Sequence, residues 1–253
     1  MPKQDAWQAV VEALKAEGVK YVYGIPGSPR HLYDALYDNP AIKAILVRHE
    51  AAGAFMAYAE SRLTRRPAVC FASPGPGVTN LVAGILEAYS GCLPVILLAT
   101  GTPSGTNGMG AFQETDQVGV FKPITKWAVR VERPERVPWV MRRAFSLATT
   151  GKPGPIYLEL PADIAVEAVD MPEYVPITRP APPAPESEAV RQVVDMLLAA
   201  ERPVLMVGGG AYLAGAGNET KELAELLGLP ILTSLSGRSI VPESHPQALG
   251  MTG

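Results

Sequence analysis

One carboxylate, Glu50, is set apart by its neighbours. Ala44-Ile45-Leu46-Val47 is an apolar run, Arg48-His49-Glu50 is charged or titratable, and Ala51-Ala52-Gly53-Ala54 is small. An acid at an exposed helix start gains about 0.3–1 kcal/mol from the helix macrodipole. The flanking residues point instead to a close-packed, dry position where a buried strand hands over to a helix. Burial disfavours the ionised carboxyl, raises its pKa and lets it hold or donate a proton. The residues alone leave the purpose of that proton open.

Three further stretches could serve a site. Ser73-Pro74-Gly75-Pro76-Gly77, followed by Val78-Thr79-Asn80, lies between an apolar run and a helical pattern. Its glycines permit close backbone approach to a ligand, and a helix start attracts anions. It lacks the Gly-Lys-Ser/Thr ending of a P-loop and the GxGxxG spacing, so a tight strand-to-helix turn is an equal reading. Phe112, Gln113, Glu114 and Asp116 follow a Gly/Thr/Ser-rich loop at 101–110. Loops at strand ends often carry function, yet the two acids could also start a helix. The glycines in VGGGAYLAGAGN (207–218) read as a plain βα connection.

Elements must bring these loops together. Apolar residues at helical spacing mark 5–17, 50–64, 78–89 and 134–150. HLYDALYDN also reads as helical. The runs VKYVYG, AIKAILV, PAVCFA, LPVILLAT and GPIYLEL read as strands. Strands that alternate with helices, and are apolar on both faces, predict a parallel α/β sheet covered on both sides. Ligands gather at the carboxyl ends of such strands, where Gly24–Pro29, Arg48–Glu50, Ser73–Gly77 and Gly101–Gly110 all lie. Residues 170–187 are proline-rich and read as a semi-rigid linker. Residues 188–253 begin a second α/β unit with two βα pairs, too little for an independent core.

Bulk properties exclude some classes. A formal charge of −3 with scattered Lys and Arg gives no basis for binding nucleic acid or an anionic membrane surface. No apolar signal core opens the chain, and no run approaches the ~18 apolar residues of a membrane span. The expectation is a soluble, cytoplasmic protein. Cys70 and Cys92 read as reduced, buried thiols. With only His31, His49 and His245 beside them, no metal site is expected within the chain.

Taken together, YGIPGSP, LVRHEAAGAFMAYAESR, ASPGPGVTNLVAGILEAYSGCLPVILLATG, GAFQETDQVGVFKPITK, ATTGKPGPIYLELPADI and RPVLMVGGGA resemble thiamine-diphosphate-dependent enzymes. The resemblance is to the acetolactate synthase and pyruvate oxidase group, and it covers nearly the whole chain in order. It implies a pyrimidine-binding domain over 1–169 and the start of a central domain, which carries FAD in some members, over 188–253. It implies that Glu50 hydrogen-bonds N1′ of the cofactor's aminopyrimidine and supplies the proton that activates it. Pro26 and Gly27 match a loop near cofactor and substrate. Gly75, Pro76 and Asn80 match the turn beneath the pyrimidine. Gln113 matches a side chain facing the reacting centre, and Phe112 the apolar wall beside it.

The implied activity is a carboligase or decarboxylase acting on 2-oxo acids, acetolactate synthase-like with pyruvate as donor, in branched-chain amino acid biosynthesis. The family binds the cofactor's diphosphate through Mg²⁺ at a Gly-Asp-Gly segment, and no Gly-Asp dipeptide occurs in these 253 residues. The expectation is therefore an incomplete chain, inactive alone. It needs a chain or domain for the diphosphate and Mg²⁺, and it forms a homo-oligomer, dimer or tetramer. Ala162 stands where many acetolactate synthases carry a lysine at the substrate entrance, and Ser28 where they carry glycine. Pyruvate oxidase, sulfoacetaldehyde acetyltransferase and a non-catalytic half remain alternatives.

Overall fold

A computed structural model describes residues 3–27, 30–178, 181 and 183–252. Ser28 and Pro29 of the expected first loop lie outside the described residues. The chain divides into two compact units, Met1–Arg179 and Pro180–Gly253.

The first unit runs through α1 (Ala6–Ala16), β1 (Tyr21–Gly24), α2 (Arg30–Tyr37), β2 (Lys43–Leu46), α3 (Glu50–Thr64), β3 (Ala68–Ala72), α4 (Pro76–Thr79) and α5 (Val82–Ser90). It continues through β4 (Val95–Gly101), α6 (Gln117–Phe121), β5 (Trp127–Arg130), α7 (Val137–Thr149), β6 (Ile156–Pro161) and α8 (Ala162–Val166). The six strands form one parallel sheet in the order β2-β1-β3-β4-β6-β5. The expected α/β architecture is present.

Alternation along the strands sorts the core into two faces. Val22, Val69, Phe71, Ile96 and Leu98 pack against α1, α2 and α7. The intervening residues Tyr23, Cys70 and Leu97 point the other way, where α3 and α5 pack on each other. Small residues set that second layer. A Cβ on Gly53 would lie 3.3 Å from the Tyr23 carbonyl oxygen, and one on Gly84 would overlap the Ala54 methyl. α1 is ended by Gly18 at φ +77°, as its position implied, and opened by a capping box between Asp5 and Gln8.

Several expectations need correction. AIKAILV is not a buried strand: β2 is the sheet edge, α3 lies over β1 and β3, and Leu46 is 67% exposed. The helix expected over 78–89 is two, α4 and α5, separated at Asn80-Leu81. β5 was missed because Trp-Ala-Val-Arg is short and only half-buried on both faces. Cys70 is buried, and burial pushes its thiol up to about 12, but Cys92 is only partly buried.

Lys126 of the Pro-Ile-Thr-Lys stretch has a structural place. Its ammonium donates to the carbonyls of Leu147 and of Thr150, the latter at 2.8 Å, and so caps the end of α7. The start of the proline-rich stretch packs on the first unit: Tyr174 Oη and the Ile177 N–H both donate to Glu17, at 2.6 and 2.8 Å.

The second unit contains α9 (Ser187–Ala199), β7 (Leu205–Val207), α10 (Gly209–Ala214), α11 (Gly217–Leu227), β8 (Ile231–Thr233) and β9 (Ala248–Met251). Its three strands are parallel, so a third strand joins the two expected. Its core is small: Val207, Ala224, Leu229, Ile231 and Val241. α9 buries no residue fully. The glycines 208–210 lead β7 directly into α10, a plain βα connection. Among the described residues no helix is long and apolar enough to cross a membrane.

One pair in the α3 layer makes stability depend on pH. Burial raises the Glu60 carboxyl above the ordinary carboxylate range, and a hydrogen bond from Tyr23 opposes that shift. Tyr23 in turn is pushed up to about 12 by burial and by Glu60. Glu60 Oε2 is buried with no hydrogen-bond partner. The native state binds this proton more tightly than the unfolded chain. Its contribution is therefore complete below the ordinary carboxylate range and is lost as pH rises through the raised pKa. Urea unfolding across that range is expected to show wild type losing stability relative to Glu60→Gln as pH rises. A difference independent of pH would count against this account.

Candidate functional site

All six strands run the same way, so the loops after β1, β3 and β4 and the start of α3 share one end of the sheet. Glu50 is the first residue of α3. His49 caps that helix, its Nδ1 accepting from the Ala51 N–H at 3.2 Å. The Glu50 side chain is half-buried. Its Oε2 accepts from the Asn80 amide at 3.0 Å. Its Oε1 faces Gly77, where a Cβ would lie 3.3 Å away.

The turn after β3 supports this pair. Gly75 has φ +64° and caps α4. A Cβ there would lie 2.6 Å from the Gln113 carbonyl oxygen, so only glycine fits the contact. Gln113 itself adopts φ +59°, a left-handed conformation rare outside glycine. A Cβ on Gly27 would lie 3.4 Å from Ser73 Oγ, which places the Pro26-Gly27 turn beside the Ser73–Gly77 turn.

Glu50, Gly75, Asn80 and Gln113 thus form one cluster, with Gly27 at its margin. Pro26 and Pro76 are exposed. Phe112 is 89% exposed and forms no wall within the chain. The dry surroundings expected for Glu50 are incomplete as well, because the strand before it is an exposed edge and Asn80 lies in solvent.

The two acids after Gln113 hold backbone. Glu114 accepts from the N–H groups of Gly108 and, at 2.8 Å, Ala111. Those bonds hold its carboxyl below the ordinary carboxylate range. Asp116 caps α6 by accepting from the Gly119 N–H at 2.9 Å. Asp163 accepts from the Ser104 N–H at 2.9 Å and ties the loop after β4 to the start of α8.

Beneath the Gly75 turn is a buried polar network that sequence reasoning missed. Gln117 Nε2, with two hydrogens to donate, lies within hydrogen-bond distance of three acceptors: the Thr100 carbonyl at 3.2 Å, Tyr157 Oη at 3.1 Å and Glu159 Oε2 at 2.9 Å. Its Oε1 accepts from the Gly75 N–H at 2.8 Å. Tyr157 Oη donates to Glu159 Oε2 at 3.0 Å. Arg130 pairs with Glu159 and also donates to the Thr102 carbonyl. Burial and the adjacent Glu159 push the Tyr157 phenol well up, so it remains a donor. The available signal was Glu159 itself, a charge inside the apolar run Ile156–Leu160.

Residues 4–120 match the thiamine pyrophosphate enzyme N-terminal TPP binding domain, and residues 190–253 match the central domain of the same enzymes. The chain belongs to the thiamine pyrophosphate enzyme family. The Glu50 cluster and Gln117 fall inside the matched N-terminal domain of this thiamine pyrophosphate enzyme chain.

Curated relatives are similar along almost its full length. The probable acetolactate synthase large subunit of Methanocaldococcus jannaschii is 40% identical over 253 residues, covering 97% of this chain and 43% of the relative. The acetolactate synthase isozyme 3 large subunit of Escherichia coli is 38% identical, covering 97% of this chain and 44% of the relative. The acetolactate synthase of Mycobacterium bovis is 37% identical, covering 97% and 40%. The chain spans less than half the length of these relatives.

Proposed function

We propose that this chain carries the pyrimidine end of a thiamine diphosphate site in an enzyme that cleaves and forms carbon–carbon bonds on 2-oxo acids, with pyruvate as donor. The observation that carries the reading is the Glu50 carboxylate at the start of α3, held by the Asn80 amide at 3.0 Å over a glycine floor. The donor set fits the pyrimidine end. One oxygen of a carboxyl that can exchange a proton is fixed by an amide, and Gly77, lacking a Cβ, lets backbone come close to the other. Glu50 is the residue that would move a proton to and from the ring nitrogen. Gly75 would keep the Gln113 backbone against the turn, and Gln113 would bound the reacting side.

Bound thiamine diphosphate supplies the electron sink for decarboxylation and carboligation. The diphosphate and its Mg²⁺ are held by a further segment or partner chain. FAD, where used, belongs with the central domain. The names of the relatives support acetolactate formation. Ala162, where the resemblance leads to a lysine, supports keeping pyruvate oxidase and sulfoacetaldehyde acetyltransferase as the second reading. Product analysis on the assembled enzyme with pyruvate as sole substrate tests the choice. Acetolactate is expected; acetyl phosphate or acetate as the product would overturn it.

The same reading includes a homo-oligomer. Phe55, Met56 and Leu63 of α3 and Leu86 and Tyr89 of α5 expose apolar side chains on two helices that pack on each other. Exposed apolar patches of this kind mark interaction surfaces. Sedimentation at micromolar concentration is expected to show self-association that Phe55→Glu with Leu86→Glu weakens. Monomer alone in the wild type would count against it.

A further inference from the structure

The Gly75 N–H is the pivot of the site turn, and its partner comes from 42 residues away. Gly75 carries no side chain and gets no side-chain cap for α4 from its own position. Gln117 instead holds the Gly75 N–H itself, from α6. It is only 2% exposed, and its amide has one consistent orientation. The Gly75 N–H can only donate, so it faces Oε1. The Thr100 carbonyl and the Glu159 carboxylate can only accept, so they face Nε2. Glu159 is fixed in turn by Arg130 and Tyr157, and the space for it exists because Gly101 has no Cβ. The order of support is therefore Arg130 to Glu159 to Gln117 to Gly75.

From Gly75 the support reaches the chemistry by two routes. α4 begins after Gly75 and ends at Asn80, whose amide holds Glu50. The Gly75 α-carbon also lies against the Gln113 carbonyl, at the strained backbone after the long loop. Gln117 lies only four residues beyond Gln113 and one beyond the Asp116 cap of α6, so both ends of this segment are pinned.

We propose that Gln117 is a positioning residue: its buried amide sets the Gly75 turn, and through it the placement of Asn80 and Gln113 relative to Glu50. This rests on the reading of Glu50 and Asn80 as the pyrimidine end of the cofactor site. The network makes no contact with Glu50 itself. It acts by fixing the peptide that aims the groups that do, since hydrogen bonds in a buried, low-dielectric setting are stronger than in water.

The test uses Gln117→Leu, with Tyr157→Phe as the comparison that keeps the Gly75 bond. Amide hydrogen exchange and the Asn80 side-chain resonances are followed by NMR on the chain without cofactor. In Gln117→Leu, exchange at Gly75 is expected to be about tenfold faster, the scale of one lost buried hydrogen bond. The Asn80 side-chain amide resonances are expected to shift, with β1 and β3 resonances unchanged. In Tyr157→Phe, Gly75 exchange is expected to stay near wild type. Unchanged Gly75 exchange and Asn80 shifts in a folded Gln117→Leu protein would overturn the proposal.

If Gln117→Leu does not fold, Gln117→Asn, which is too short to reach both Gly75 and Glu159, carries the same comparison with the same two outcomes. In the assembled holoenzyme, the half-saturating thiamine diphosphate concentration is expected to rise about tenfold in Gln117→Leu. Altered exchange with unaltered cofactor dependence would overturn the route to Glu50. A wild-type assembly that takes up no thiamine diphosphate would instead overturn the functional reading, with the Gly75 measurements standing apart from it.

Discussion

Glu50→Gln is expected to abolish turnover in the enzyme that contains this chain, lowering kcat by about 10²–10⁴-fold, the usual contribution of a positioned proton-transfer group. The substitution keeps size and polarity. A glutamine carbonyl at this position still accepts from Asn80, and the small residues after it in α3 still pack. The amide loses only the ability to give and take a proton. Folding and oligomer state should therefore match wild type while chemistry fails. Exchange of the C2 proton of bound thiamine diphosphate is the direct readout, because it precedes any choice of substrate. Wild-type exchange in the mutant would remove Glu50 from the proton path and with it the central assignment.

The second large effect is on stability. Gly101 is the buried last residue of β4, paired with Pro161 of β6. A Cβ there would lie 2.7 Å from both Cγ and Cδ of Glu159. Glu159 is 3% exposed and cannot retreat, since Arg130, Gln117 and Tyr157 hold it from the other sides. Gly101→Ala must displace the carboxylate or the strand. Breaking a buried ion pair by stranding one partner costs about 3–5 kcal/mol. Urea unfolding should show a loss in that range. A loss below about 1 kcal/mol would mean that the strand end yields easily and that the network is softer than its geometry indicates.

Much of the site was legible in the sequence because its parts are local. Glu50 at a helix start, glycines where backbone approaches backbone, and helices with clear apolar spacing all follow from short-range patterns. The resemblance to thiamine-dependent enzymes pointed to Glu50, Gly75, Asn80 and Gln113, which lie together, and also to Pro26, Pro76 and Phe112, which are exposed; all fall within the matched N-terminal domain. Edges were harder. Ala44-Ile45-Leu46-Val47 has the composition of a central strand, yet β2 is the outermost one, and composition does not encode position in a sheet.

The chain's residue types and periodicities determined a parallel α/β sheet with its loops at one end and Glu50 among them. Only the tertiary structure decided which distant residues meet. The Gln117–Gly75 bond spans 42 residues and the Glu159–Arg130 pair 29, and no local pattern signals either. Local periodicity reports which face of an element is buried. Long-range polar pairing depends on strand order and register, which are settled when the sheet assembles and each buried donor and acceptor must find a partner.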